Sequence, residues 1–165
     1  MTKGSISDFF LYRYLMIALK YILVVLSVFL VLIVFGNVVG RYAFNFSLAW
    51  SEEASRFVFI WVILIGSVLA NERWEHMNLD LLVQRFPGRA GKSIQLTAQL
   101  VMLAVLGFII RGGLIVTFEN LSWESPALEI PYGLVYSVVP FCCAVMFYQN
   151  LVRAVKIVKA MRNKE

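Results

Sequence analysis

From Tyr21 to Gly40 the chain runs 20 residues without a charge, and from Pro131 to Val152 it runs 22. A helix rises 1.5 Å per residue, so roughly 20 residues cross the roughly 30 Å of hydrocarbon in a bilayer. Composition agrees with lipid as the solvent. The 165 residues are 61% hydrophobic and 15% charged, against about 45–50% and about 25% in a soluble domain. The expected fold is all-α and integral to the membrane. Four transmembrane helices, at about 18–41, 50–71, 93–118 and 131–153, form one domain over 1–165, with both termini cytoplasmic and short amphipathic interfacial helices.

The net charge of +5 raises the question of nucleic acid as a partner, and the distribution of the basic residues answers it. The N-terminal, middle and C-terminal segments together carry 12 basic and five acidic residues, whereas the two other loops carry three basic and five acidic. That alternation is the positive-inside pattern. It places the termini and the middle loop in the cytoplasm and implies no nucleic acid. The first apolar run is too long for a signal peptide and lacks a small-residue cleavage site, so it reads as a retained anchor. The two cysteines, Cys142 and Cys143, are adjacent inside the last span. Neighbours on a helix point apart, so no bridge between them is expected.

Residues 1–20 mix aromatic, apolar and basic side chains, as an interfacial helix or the inner end of a longer first span would. In the second segment, Phe57 to Ala70 gives only 14 uncharged residues, too few to cross. A full crossing therefore starts near Trp50 and draws Glu52, Glu53 and Arg56 into the outer edge of the membrane. Ser51 can cap that helix, and acids in its first turn suit the positive end of the dipole. Arg56 stands at i+4 from Glu52 and i+3 from Glu53, so either pair can meet. This reads as a snorkelling pair or as a charged patch for a partner protein.

The middle loop holds His76 and Asp80 at i,i+4 spacing, read as a structural pair, within an amphipathic stretch, Met77 to Phe86. The third segment runs on past Arg111 to Phe118, longer than a bilayer core, so it must tilt or kink near Gly112-Gly113. Arg111 then lies near the outer boundary, snorkelling or paired. An acidic loop with Glu119 and Glu124 follows, closed by Ser125-Pro126 and Ile130-Pro131. Pro131 suits the first turn of the last helix, and Pro140 can bend it.

Catalytic patterns are absent. One histidine cannot make a bis-histidine haem site or a usual zinc site. There is no phosphate-binding Gly-x-x-x-x-Gly-Lys loop and no nucleophile beside a base, and no enzyme activity, cofactor or metal is expected. The centres of the first, second and fourth spans hold no ionisable residue, which argues against autonomous ion-coupled transport. Asn37, Gln95 and Gln99 read as amides bonding between helices.

Four motifs in order resemble the small membrane subunit of the tripartite ATP-independent periplasmic (TRAP) transporters. They are Gly40-Arg41-Tyr42, then Leu48-Ala49-Trp50-Ser51-Glu52-Glu53 with Arg56 and Gly66, then His76-x-x-x-Asp80, and finally Ser125-Pro126-Ala127-Leu128 before Ile130-Pro131. The resemblance covers roughly residues 20–155. It implies a bacterial or archaeal inner-membrane subunit that scaffolds a separate, large, sodium-driven elevator subunit. A periplasmic binding protein would deliver an organic acid such as a C4-dicarboxylate or a sialic acid. Trp50, Ser51, Glu52, Glu53, Arg56, His76, Asp80, Arg111, Ser125, Pro126 and Pro131 would then be structural or face partners, including membrane lipids. A membrane anchor for a redox or signalling complex is the alternative.

Overall fold

A computed structural model of the chain describes residues 4–46, 48–73 and 89–162. They are all-α: α1 is Gly4–Ala43, α2 is Ala49–Arg73, α3 is Arg89–Glu119, α4 is Tyr132–Tyr136 and α5 is Val138–Arg162. Four stretches are long and apolar enough to cross a membrane: Tyr12–Ala43, Ala49–Glu72, Ser93–Glu119 and Tyr132–Lys159. His76, Asp80 and the amphipathic stretch Met77 to Phe86 lie outside the described residues. The N-terminal segment forms no separate interfacial helix from Gly4 on, because α1 is unbroken over 40 residues. α3 likewise passes Gly112-Gly113 as one helix of 31 residues.

Among the described residues, the backbone of α1 approaches only α2, α2 lies between α1 and α5, and α3 lies along α5 and α4. The spans therefore form an open layer in the order α1, α2, α5, α3, not a closed bundle. Burial follows from the order. None of the most apolar stretch of α1 is buried and 6% of that of α3, whereas the figure for the last span is 39%. The backbone of each edge helix runs along one neighbouring span, and most of its length faces the surroundings.

α1 shows how a span chooses its neighbour. Its covered stripe is Tyr12, Met16, Leu19, Leu23, Leu26, Leu30, Ile33, Asn37 and Gly40. The steps alternate between four and three, a period of 3.5, which keeps one seam on a partner helix through a left-handed supercoil. Met16 and Leu19 join Ile65 and Val68 of α2 and Val138 and Cys142 of α5 in the buried core. Cys142 and Cys143 are free thiols, both buried.

Lipid is as apolar as leucine, so apolar contact between spans gives little net drive and polar bonds and close approaches matter more. Each connection supplies some. Gly40 ends α1 by accepting from the amides of Phe44 at 3.1 Å and Phe46 at 3.0 Å, with Asn45 at φ 51 in the left-handed region that asparagine tolerates. The α2 amide end is met from α1, where Asn37 Oδ1 accepts from the Leu48 amide at 3.2 Å. This corrects the expectation for Ser51. It lies inside the helix, 2% exposed, and its hydroxyl donates to the Leu48 carbonyl at 2.7 Å. Standing inside α2 and not before it, the hydroxyl turns back to the preceding turn and is not at the N-cap position.

The last span is broken. α4 ends at Tyr136 and α5 begins at Val138, because Pro140 has no amide to give Tyr136 and its ring crowds the preceding turn. Across the break, the Trp61 indole of α2 donates to the Val135 carbonyl at 3.2 Å. Gly113 of α3 faces Pro140, and a Cβ there would lie 3.2 Å from the proline ring. Pro131 stands just before α4, in the cap position with φ −57.

Candidate functional site

Two polar clusters hold the layer, one at each end. At the Glu53 end, α3 gives way to the turn 120–131. The turn closes on itself through Ser125 N to Ile130 O at 3.0 Å, Glu129 N to Ser125 O at 2.9 Å and Tyr132 N to Trp123 O at 2.9 Å. Glu129 takes φ 54, a strained angle for a side chain with a Cβ. Gly133 N donates to Asn120 O at 2.9 Å, and a Cβ on Gly133 would fall 2.5 Å from the Thr117 carbonyl. Only glycine lets α4 fold back this tightly.

Glu53 locks that turn to α2. Its Oε2 accepts from the Ser125 hydroxyl, from the Ala127 amide at 3.1 Å and from the Leu128 amide at 3.3 Å. The Ser125 oxygen also accepts from the Leu128 amide at 3.3 Å. Two of the sequence motifs, one around Trp50 to Glu53 and one around Ser125 to Leu128, are thus the two halves of one latch. Phe57 and Tyr132 meet edge to face beside it, 5.7 Å between centroids.

The other expected site residues divide around the latch. Ser51 and Ser125 are buried, 2% and 1% exposed, while Trp50, Glu52, Arg56, Pro126 and Arg111 are exposed and Pro131 is partly covered. Among the described residues, neither Glu52 nor Glu53 forms an ion pair with Arg56. The Glu53 carboxylate is already engaged by the turn. Arg111 stands apart on the face of α3 turned away from α5, the face of exposed Val101, Phe108 and Ile115.

The second cluster joins α1, α2 and α5 at the opposite end, and it was not anticipated. Arg153 of α5, only 8% exposed, donates to the Asn71 backbone carbonyl, to Asn71 Oδ1 at 3.2 Å and to Asn150 Oδ1 at 3.4 Å. These acceptors are neutral. The compensation comes from position, since Asn71 lies in the last turn of α2, where unpaired carbonyls and the negative end of the dipole favour a cation. Asn71 Nδ2 donates to Gln149 Oε1 at 2.6 Å. Gln149 Nε2 in turn donates to the Tyr12 hydroxyl of α1 at 3.1 Å and to the Val68 carbonyl at 3.4 Å. Arg153 reads in the sequence as one more basic residue of the tail. The available signal was Gln149, Asn150 and Arg153 at one-turn spacing, opposite the lone Asn71 that ends the second span.

Among the described residues no three His, Cys, Asp or Glu side chains gather as metal ligands. The polar atoms of both clusters are engaged with the chain itself, holding helices together and aiming no reactive group into a cavity. The molecule is a multi-span membrane protein whose polar groups fix the relative positions of its spans.

Residues 30–160 match the family model of the tripartite ATP-independent periplasmic transporters, DctQ component, and the chain belongs to that family as a small transporter subunit. A TRAP transporter small permease protein of Haemophilus influenzae is 33% identical over 119 residues, which are 72% of this chain and 74% of the relative. The C4-dicarboxylate TRAP transporter small permease protein DctQ of Vibrio cholerae is 36% identical over 73 residues, 44% of this chain and 32% of that protein. The sialic acid TRAP transporter permease protein SiaT of H. influenzae is 26% identical over 118 residues, 71% of this chain but 19% of that longer chain.

Proposed function

We propose that this chain is the small membrane subunit of a sodium-driven TRAP transporter for organic acids, of the C4-dicarboxylate or sialic acid type. It scaffolds a large elevator subunit and helps to dock a periplasmic substrate-binding protein. The open layer is the observation that carries this reading. A moving subunit needs a fixed frame, and this fold leaves whole faces of α1 and α3 for neighbours while polar bonds hold its helices in place. The longer SiaT chain, of which the stretch similar to this chain is 19%, supports a large permease portion working beside the small one.

The positive-inside pattern supports a cytoplasmic setting for both termini in the inner membrane. The Glu53 latch then faces the periplasm, and exposed Trp50, Glu52, Arg56 and Pro126 around it are the surface offered to the binding protein or to the outer rim of the large subunit. Arg111 sits on the exposed face of α3, where a partner carboxylate or a lipid headgroup would satisfy it.

A mild-detergent pull-down of the tagged chain from its native membrane tests the reading. A stoichiometric, much larger multi-span protein should co-purify, and the pair reconstituted with its binding protein should take up an organic acid only with a sodium gradient. Recovery of the chain alone, or with redox proteins, would overturn the scaffold role.

A further inference from the structure

A groove of about 300 Å³ opens between the ends of α1 and α2 on the side of the Arg153 cluster. Arg13 and Lys20 of α1 line it with Glu72 of α2 at the rim, and Met16, Ile17 and Leu69 give it an apolar floor. Arg13, Ile17 and Lys20 are spaced i, i+4, i+7, so the two cations flank an isoleucine on one helix face, about 10 Å apart along the axis. Lys20 directly precedes the uncharged run Tyr21 to Gly40, which sets the groove at the boundary between hydrocarbon and headgroups. Among the described residues neither cation forms an ion pair with Glu72. Tyr12 also lines the groove, and its hydroxyl accepts from Gln149, which ties the groove wall to the buried cluster.

We infer that this groove is a binding site for one anionic membrane glycerophospholipid, whose phosphate sits between Arg13 and Lys20 and whose acyl chains follow the exposed face of α1. Charge and depth both select this occupant. Among the described lining residues, two cations against one carboxylate leave a single positive charge, which matches a singly charged headgroup such as phosphatidylglycerol and not a zwitterionic one. A phosphate at headgroup depth takes the long side chains without burying either charge. The apolar floor continues into exposed Tyr21, Val24 and Val28, a surface suited to an acyl chain and not to a free phosphate ion. The site is a property of this chain and does not depend on what the chain assembles with.

The full chain is reconstituted in nanodiscs of equal parts phosphatidylethanolamine and phosphatidylglycerol, stripped gently, and weighed by native mass spectrometry. One phosphatidylglycerol per chain is expected to remain. The double substitution Arg13→Ala/Lys20→Ala should lower its retention by about 30-fold, the equivalent of about 1 kcal/mol for each basic residue near the surface. Arg41→Ala, at the far end of α1, should leave it unchanged. Equal retention in the double variant, preferential retention of phosphatidylethanolamine, or a similar loss on Arg41→Ala would each overturn the site. Should the alanine variant fail to fold by circular dichroism, Arg13→Lys/Lys20→Arg decides: it conserves both charges and must retain the lipid, and loss of lipid from that folded variant overturns the assignment.

Discussion

Glu53 stands in the first turn of α2, where a carboxylate already gains from the helix dipole, and it spends its acceptor capacity on three donors of the distant turn at Ser125 to Leu128. Removing it strands a hydroxyl and two amides, one of them exposed. Glu53→Ala is expected to destabilise the latch, read as a lower midpoint of thermal unfolding in detergent. Glu53→Gln keeps one acceptor oxygen and should fall between the two. Arg56→Ala should stay within about 0.5 kcal/mol of wild type, since it is exposed and forms no ion pair among the described residues, while reducing co-purification of a partner that uses that charge. The residue types of this site were legible in the sequence, but their pairing was not. Glu53 and Arg56 are near in sequence and invite an ion pair, whereas Ser125 lies 72 positions away. Proximity along the chain says nothing about which of two available partners tertiary folding brings closer.

At the scale of elements, apolar runs and charges marked the spans, while their ends and breaks depended on neighbours. α1 runs back to Gly4 because nothing in its first residues breaks a helix, so the alternation of aromatic and basic residues belongs to one long helix. The break at Pro140 was legible from proline chemistry alone. The bond that Trp61 makes to Val135 beside it was not, because a tryptophan in a span gives no hint of which carbonyl its indole will reach. Trp61→Phe removes that donor at nearly constant volume and is expected to cost about 1 kcal/mol, measured as the shift in unfolding midpoint. Gly133→Ala should cost more, about 1–3 kcal/mol, because its methyl would collide with the α3 carbonyl at Thr117, and α4 must move off α3 to accept it. Arg153→Met keeps length and loses the cation. Hydrogen exchange should then quicken selectively at the turn of α2 around Asn71, whose carbonyls it no longer covers.

For the whole molecule, the consequence of the fold is the open order α1, α2, α5, α3. With axes 8–10 Å apart in packed helices, the two edge helices stand about 24–30 Å apart across three spacings, whereas a closed ring would bring them to about 10 Å. Spin labels at Val25 of α1 and Phe108 of α3, both exposed, separate these cases by their measured distance in nanodiscs. A short distance would mean a bundle and would remove the reason to expect broad partner faces on α1 and α3.

The sequence by itself determined the solvent and the class. Runs of 20 and 22 residues without a charge read as helices in lipid, because a helix satisfies its backbone groups within its own segment. Its ordered motifs also pointed to the family that residues 30–160 match. Tertiary structure alone decided which span lies beside which, that Glu53 belongs to the turn at Ser125, and that Arg153 closes the end of α2. Lipid-facing and protein-facing surfaces are equally apolar, so hydropathy carries no signal to tell them apart. Apart from Asn37, which reaches Leu48 11 positions on, the polar side chains that join distant spans find their partners across 72 to 137 positions of chain.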